Sequence, residues 1–226
     1  EDRDYGHFVH TDYYRPTTAY VFDNDSGFSR EHLRQEYPSY GTTDFREGAV
    51  ELAQPDGSHI TDFCYISHEV VAGKPKLPGL PATYVEADDE ADTLLVRLLD
   101  EKTGVELVLS YTIFRDFDAI ARNAYFINKG SETVALTRAM SLAIDLPDAD
   151  YDFVQFSGWW GRERQKSVTH LRPGIQSIGS LRGQSGHVHN PFFILKRPQA
   201  DEQQGEAIGF SRGYSGNFLA QAEVDT

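Results

Sequence analysis

Thr93-Leu94-Leu95-Val96-Arg97-Leu98-Leu99, the turn Glu101-Lys102-Thr103-Gly104, and Val105-Glu106-Leu107-Val108-Leu109-Ser110-Tyr111-Thr112-Ile113-Phe114 decide the fold. Two apolar runs joined by a four-residue turn that ends in Gly read as an antiparallel pair. Working outward, residues 119–127, the turn Asn128-Lys129-Gly130-Ser131 and residues 133–144 repeat the arrangement. Further runs at 151–156, 174–181, 192–196, 207–210 and 218–224 bring the total to about a dozen short strands. Upstream, residues 50–53, the turn Pro55-Asp56-Gly57-Ser58 and residues 60–71 read as a hairpin. The helical signal is confined to 29–37, with Ser29 as N-cap and Pro38 as the stop. No strand–helix–strand alternation is present. The predicted fold class is therefore all-β, a large antiparallel sandwich.

Composition narrows the function classes. The chain has 226 residues, and 21 Lys+Arg against 35 Asp+Glu leave a net charge of 21 − 35 = −14. Nucleic-acid affinity comes mainly from cations on phosphates, so such a partner is excluded. A single Cys permits no internal disulfide. No apolar run approaches the roughly 20 residues of a membrane-spanning helix, and the charged opening Glu1-Asp2-Arg3-Asp4 lacks the apolar stretch of a signal peptide. Gly73-Lys74-Pro75-Lys76-Leu77-Pro78-Gly79-Leu80-Pro81 cannot be a central strand and reads as an ordered extended loop. With no low-complexity linker, residues 1–226 are expected to form one domain. The last run, 218–226, alternates and then stops, as a strand cut short would.

Few residues look reactive. His187-Val188-His189 places two imidazoles on one side of a strand, but a metal site needs further ligands, and hydrogen-bonding histidines beside a turn are the simpler expectation. Residues 87–92 and 145–152 are dense in carboxylates, yet their settings are those of solvated turns. Cys64, between Phe63 and Tyr65, is expected to be a small buried apolar residue. Gly158-Trp159-Trp160-Gly161-Arg162-Glu163-Arg164 is different, because it gathers both tryptophans between glycines and beside two arginines. Such a pair suits stacking on a sugar ring or anchoring a partner, and it also suits core packing. The residues alone leave these open.

Long strings then resemble a known family. They are Gln35-Glu36-Tyr37-Pro38-Ser39-Tyr40-Gly41 with Thr43-Asp44-Phe45-Arg46, and Gly73 onward through Thr83-Tyr84-Val85-Glu86. They continue with Arg138-Ala139-Met140-Ser141-Leu142, Gly161-Arg162-Glu163-Arg164, and Leu171-Arg172-Pro173-Gly174-Ile175-Gln176-Ser177-Ile178. His189-Asn190-Pro191-Phe192 and residues 213–221 complete the set. In order and extent they resemble the N-terminal domain of glycoside hydrolase family 36, the α-galactosidases or melibiases.

The resemblance implies a β-supersandwich that precedes a catalytic (β/α)₈ barrel and a further β domain. An opening strand ahead of Glu1 is expected as well. It implies hydrolysis of terminal α-linked galactose from melibiose- and raffinose-type oligosaccharides with retention, using two barrel aspartates. Trp159 precedes Trp160 and Trp160 precedes Gly161, so the family's K-W-D strand end does not occur here and no Asp of this chain is expected to be catalytic. The implied substrate-binding residues are Trp160, on the pocket wall, and Phe8 and Asp12, reaching a neighbouring subunit's site, with Tyr14 the alternative to Asp12. Arg162, Arg164, His189 and Asn190 are expected at the interface with the chain's own barrel. A bacterial cytoplasmic homotetramer without metal or other cofactor is the implied setting.

Overall fold

The computed structural model describes residues 34–41, 46–79, 81–214 and 216–224. Within them the chain is almost entirely antiparallel β-structure, as the strand pattern predicts. Ser29 lies outside the described residues. The described part of the expected helix, 34–37, is irregular and bent. Contacts divide the described residues into two compact units. One draws on the chain up to Lys76 and on Tyr84–Asp145, the other on Leu77–Thr83 and the chain from Leu146 onward.

The first unit holds β1 (Val50–Ala53), β2 (Cys64–Ala72), β3 (Ala91–Asp100), β4 (Val105–Phe114), β5 (Ile120–Asn128) and β6 (Ala135–Ala139). β2-β3-β4-β5 form a meander. Its registry runs without slip from Ala91↔Phe114 to Asp100↔Val105. The β3–β4 turn closes on Gly104, at φ 70°, and a Cβ there would lie 2.7 Å from the Gly130 Cα of the next turn. Both turns therefore need glycine to pass each other.

The expected hairpin between residues 50–53 and 60–71 does not form. Its turn exists, with Gln54 N–H donating to Ser58 O at 2.9 Å. Beyond the turn the chain is held by side chains instead: Gln54 Nε2 donates to Ile60 O at 2.6 Å, and His59 Nδ1 meets Glu51 Oε1 at 2.8 Å. β1 pairs with the distant β6, Val50 opposite Ala139, and β2 pairs with β3. Val50, Leu52 and Val105 are buried, with Tyr37, Phe63, Phe126 and Val134 packed around them.

Two carboxylates, Asp100 and Glu106, are buried among the described residues of this unit, and Glu106 is paired with cations. The Glu106 side chain is 4% exposed and accepts hydrogen bonds from Arg97 Nη1 at 3.0 Å and from Lys129 Nζ. Those bonds, Lys129's first, hold its carboxyl below the usual range against the cost of burial.

The second unit holds β7 (Asp152–Trp159), β8 (Arg162–His170), β9 (Gly174–Ser180), β10 (His189–Lys196), β11 (Ala207–Ser211) and β12 (Phe218–Val224). The order β11-β10-β7-β8 makes one sheet and β12-β9 a second. Tyr151, Phe153, Leu171 and Leu195 share a core with Ile178 and Phe218 of the smaller sheet. Phe193 stacks on Phe153 at 5.1 Å and on Phe210 at 4.6 Å. β8 has no counterpart among the expected strands. Its sequence, RERQKSVTH, is polar because nearly every side chain is exposed on the edge of the sheet.

A carboxyl whose value is depressed on folding adds stability above its unfolded value, near 4.3 for Glu. That stability is lost as pH falls through the folded value. Glu106→Gln is expected to cost about 1–3 kcal/mol at neutral pH, by leaving Lys129 without its anion and Arg97 with Glu69 alone. Its melting midpoint should also fall less between pH 7 and pH 3 than that of the unsubstituted chain. Thermal unfolding monitored by circular dichroism across this range checks both statements.

Candidate functional site

β7 begins in the core and ends outside it. Phe153 and Val154 are buried, the next residues are half-buried, and Trp159 is 65% exposed. The strand reverses through Trp160 and Gly161 into β8, with Trp159 opposite Arg162. Gly161 takes φ 77°, which a two-residue loop of this kind demands and glycine supplies without strain. Trp160, at the loop's tip, is 82% exposed.

Two features fix the geometry just behind the tip. The registry slips between Ser157 and Trp159, since Ser157 faces Gln165 and Trp159 faces Arg162. β8 therefore carries one extra residue there, a β-bulge. Arg164 sits in the bulge at φ 56°, the one described non-glycine in the left-handed region. That conformation costs about 1–2 kcal/mol. Gly158 lies opposite, and a Cβ on it would meet Arg162 O at 2.2 Å and Glu163 Cα at 2.9 Å. Glu163 Oε1 then reaches back to accept the Gly161 N–H at 2.9 Å. That hydrogen bond is the main reason its carboxyl lies below the usual range.

The two tryptophans differ in their neighbours. Trp159 meets the His187 ring edge-on at 6.2 Å. No ring contact to Trp160 is present among the described residues. Neither indole belongs to the buried core of the described residues.

The expected interface residues divide by exposure. Arg162 and Arg164 are exposed and form no ion pair among the described residues. His189 and Asn190 are half-buried at the start of β10. The β10 registry slips between His189↔Ser157 and Phe193↔Gln155. His189 Nδ1 and Gln155 Oε1 are both buried and without a hydrogen-bond partner among the described residues. Phe8, Asp12 and Tyr14 lie outside the described residues. His187 turns to Trp159, whereas His189 is a strand residue, and no group of three or more His, Cys, Asp or Glu is arranged for a metal among the described residues.

The other sequence candidates are accounted for by structure. Asp88–Glu90 is an exposed 3₁₀ turn. Asp148 accepts two hydrogen bonds from Arg197, at 2.6 and 3.1 Å, which hold its carboxyl low. Asp152 lies between His170 and Lys196, 3.2 Å from each. Cys64 is exposed, contrary to expectation, on β2, an edge strand whose side chains are exposed along nearly its whole length. Asp62 beside it raises its thiol above the ordinary value, the reverse of nucleophile activation.

The profile of the glycosyl hydrolase family 36 N-terminal domain matches residues 5–226. The chain belongs to that family. α-Galactosidase AgaA of Geobacillus stearothermophilus is 50% identical to the family 36 domain over 202 residues, which cover 89% of this chain and 28% of that protein. α-Galactosidase C of Emericella nidulans is 45% identical over 191 residues, 84% of this chain and 25% of that protein. A solved structure of an AgaA variant in complex with raffinose superimposes with a TM-score of 0.90 at 48% identity, covering 93% of this chain and 29% of that one. The domain thus spans little more than a quarter of the relatives it matches.

The glycines flanking the tryptophans of this family 36 domain read as allowing a close backbone approach or an unusual turn, and Gly158 and Gly161 provide both. Glu163 has no such signal, because its bond to the Gly161 N–H appears only once the loop is folded. Gly158→Ala is expected to break the bulge, because the obstructing atoms are main chain. The checks are a changed near-ultraviolet circular dichroism spectrum and faster proteolysis within residues 157–165.

Proposed function

We propose that the chain is the non-catalytic N-terminal domain of a retaining α-galactosidase acting on melibiose- and raffinose-type oligosaccharides. The observation that carries this reading is the match over residues 5–226, together with relatives that are α-galactosidases throughout their names. The raffinose complex of the AgaA variant supports the substrate class. Retention requires two carboxyls about 5–5.5 Å apart. The carboxylates of Asp148 and Asp152 are tied to Arg197, His170 and Lys196, which is a structural use. The chemistry is assigned to a barrel outside this chain, and the isolated chain is inactive.

In this reading Trp160 is part of the pocket wall. An exposed indole on a rigid hairpin offers a flat apolar face to the C–H face of galactose, at little entropic cost. Arg162, Arg164, His189 and Asn190 meet the barrel. The exposure of Arg162 and Arg164, which form no ion pair among the described residues, supports this. Phe8 and Asp12 reach a neighbour's site in a homotetramer, and the enzyme works in the cytoplasm.

Hydrolysis of nitrophenyl α-galactoside by the purified chain and by the full-length protein tests the assignment. The chain alone should be silent and the full-length protein active. Trp160→Ala in the full-length protein should raise KM for raffinose about tenfold, equivalent to roughly 1.4 kcal/mol. Hydrolysis by the chain alone would overturn the division of labour. Galactose binding by the chain alone, abolished by Trp160→Ala, would favour a self-sufficient carbohydrate-binding sandwich.

A further inference from the structure

The hairpin tip poses a physical question. Trp160 is 82% exposed, and no ring contact to it is present among the described residues. A side chain so placed takes its direction from the backbone beneath it. That backbone is the two-residue loop Trp160-Gly161 above a bulge. Gly161 is itself the most permissive residue the loop could contain. The one bond described within the loop beyond the strand ladder is the donation from Gly161 N–H to Glu163 Oε1 at 2.9 Å.

The surrounding geometry serves that contact. The extra residue in β8 and the left-handed Arg164 turn the chain after Glu163. Gly158 lets the Arg162 carbonyl and Glu163 Cα approach where a Cβ could not fit. Three unusual backbone features within seven residues surround one carboxylate whose hydrogen bond closes the loop. The strained Arg164 is the kind of outlier that persists only where its surroundings hold it.

We infer that Glu163 is a positioning residue: by accepting the Gly161 N–H it fixes the loop that carries Trp160, and so sets the angle at which the indole meets a bound galactoside ring. The inference rests on the reading of Trp160 as a pocket wall. Glu163 touches no substrate and acts through Trp160 alone. The requirement is for an acceptor oxygen at this reach, not for a negative charge, and this separates it from a catalytic or ion-pairing carboxylate.

The experiment compares Trp160→Ala, Glu163→Ala, Glu163→Met and Glu163→Gln in the full-length protein, with kcat and KM measured on raffinose and melting midpoints recorded alongside. Glu163→Ala should raise KM about fivefold, less than Trp160→Ala, because the lost bond is solvent-exposed. Its kcat should stay within about twofold, since no reacting group is touched. Glu163→Met keeps the side chain's length but loses the acceptor, and should reproduce the KM increase even if the alanine variant folds poorly. Glu163→Gln keeps an acceptor oxygen and should return KM to within about twofold of the unsubstituted protein. If Trp160→Ala raises KM while Glu163→Ala and Glu163→Met do not, the inference is overturned and the pocket-wall reading stands. Equal increases for Glu163→Gln and Glu163→Met would overturn it too, by showing that charge is what matters. If Trp160→Ala leaves KM unchanged, the pocket-wall reading fails and the inference fails with it.

Discussion

Cross-strand registry is the constraint on which the described structure depends. A single cysteine rules out an internal disulfide, and no described helix exceeds one 3₁₀ turn. Buried amide and carbonyl groups must therefore find partners across strands. A slip of one residue would turn every side chain of a strand to the opposite face. The tight turns prevent such slips. Gly104 and Gly130 interlock on one side of the first unit, and Gly161 closes the hairpin of the second. The registry slips in the first unit at Glu51/Leu52 and at Tyr65/Ser67, and in the second at Gly158 and between His189 and Phe193, where β7 leads to the exposed aromatic tip.

The same constraint explains what could be read from the sequence. β3 and β4 were legible because their apolar content reflects burial on a central pair of strands joined by a short turn. β8 was not, because an edge strand exposed along most of its length carries no hydrophobic period. The partner of β1 was misread because the turn at Pro55-Asp56-Gly57-Ser58 is genuine, while the strand it implied is replaced by side-chain hydrogen bonds. Pairing Val50 with Ala139 depends on closing a long loop, which no local pattern announces. Cys64 was misplaced for the reason that hid β8: nothing in Phe63-Cys64-Tyr65 says which strand stands at an edge.

At the candidate site, Trp160 and its arginines were legible through composition and family resemblance. The bulge was not, because it depends on φ 56° at Arg164 and on a contact between main-chain atoms. Phe8 and Asp12, proposed to reach a neighbouring subunit, lie outside the described residues. The structure exposes both tryptophans of the chain at one hairpin and takes up Asp148 and Asp152 in ion pairs. That division suits a domain that shapes a pocket while reaction chemistry is supplied elsewhere.

The most direct measurement is a crystal structure of the full-length protein with raffinose bound. The account predicts the face of the Trp160 indole in van der Waals contact, at about 4 Å, with the terminal galactose ring. It also predicts the Gly161 N–H still donating to Glu163. A galactose ring held without Trp160, with the indole packed against protein instead, would contradict the central claim.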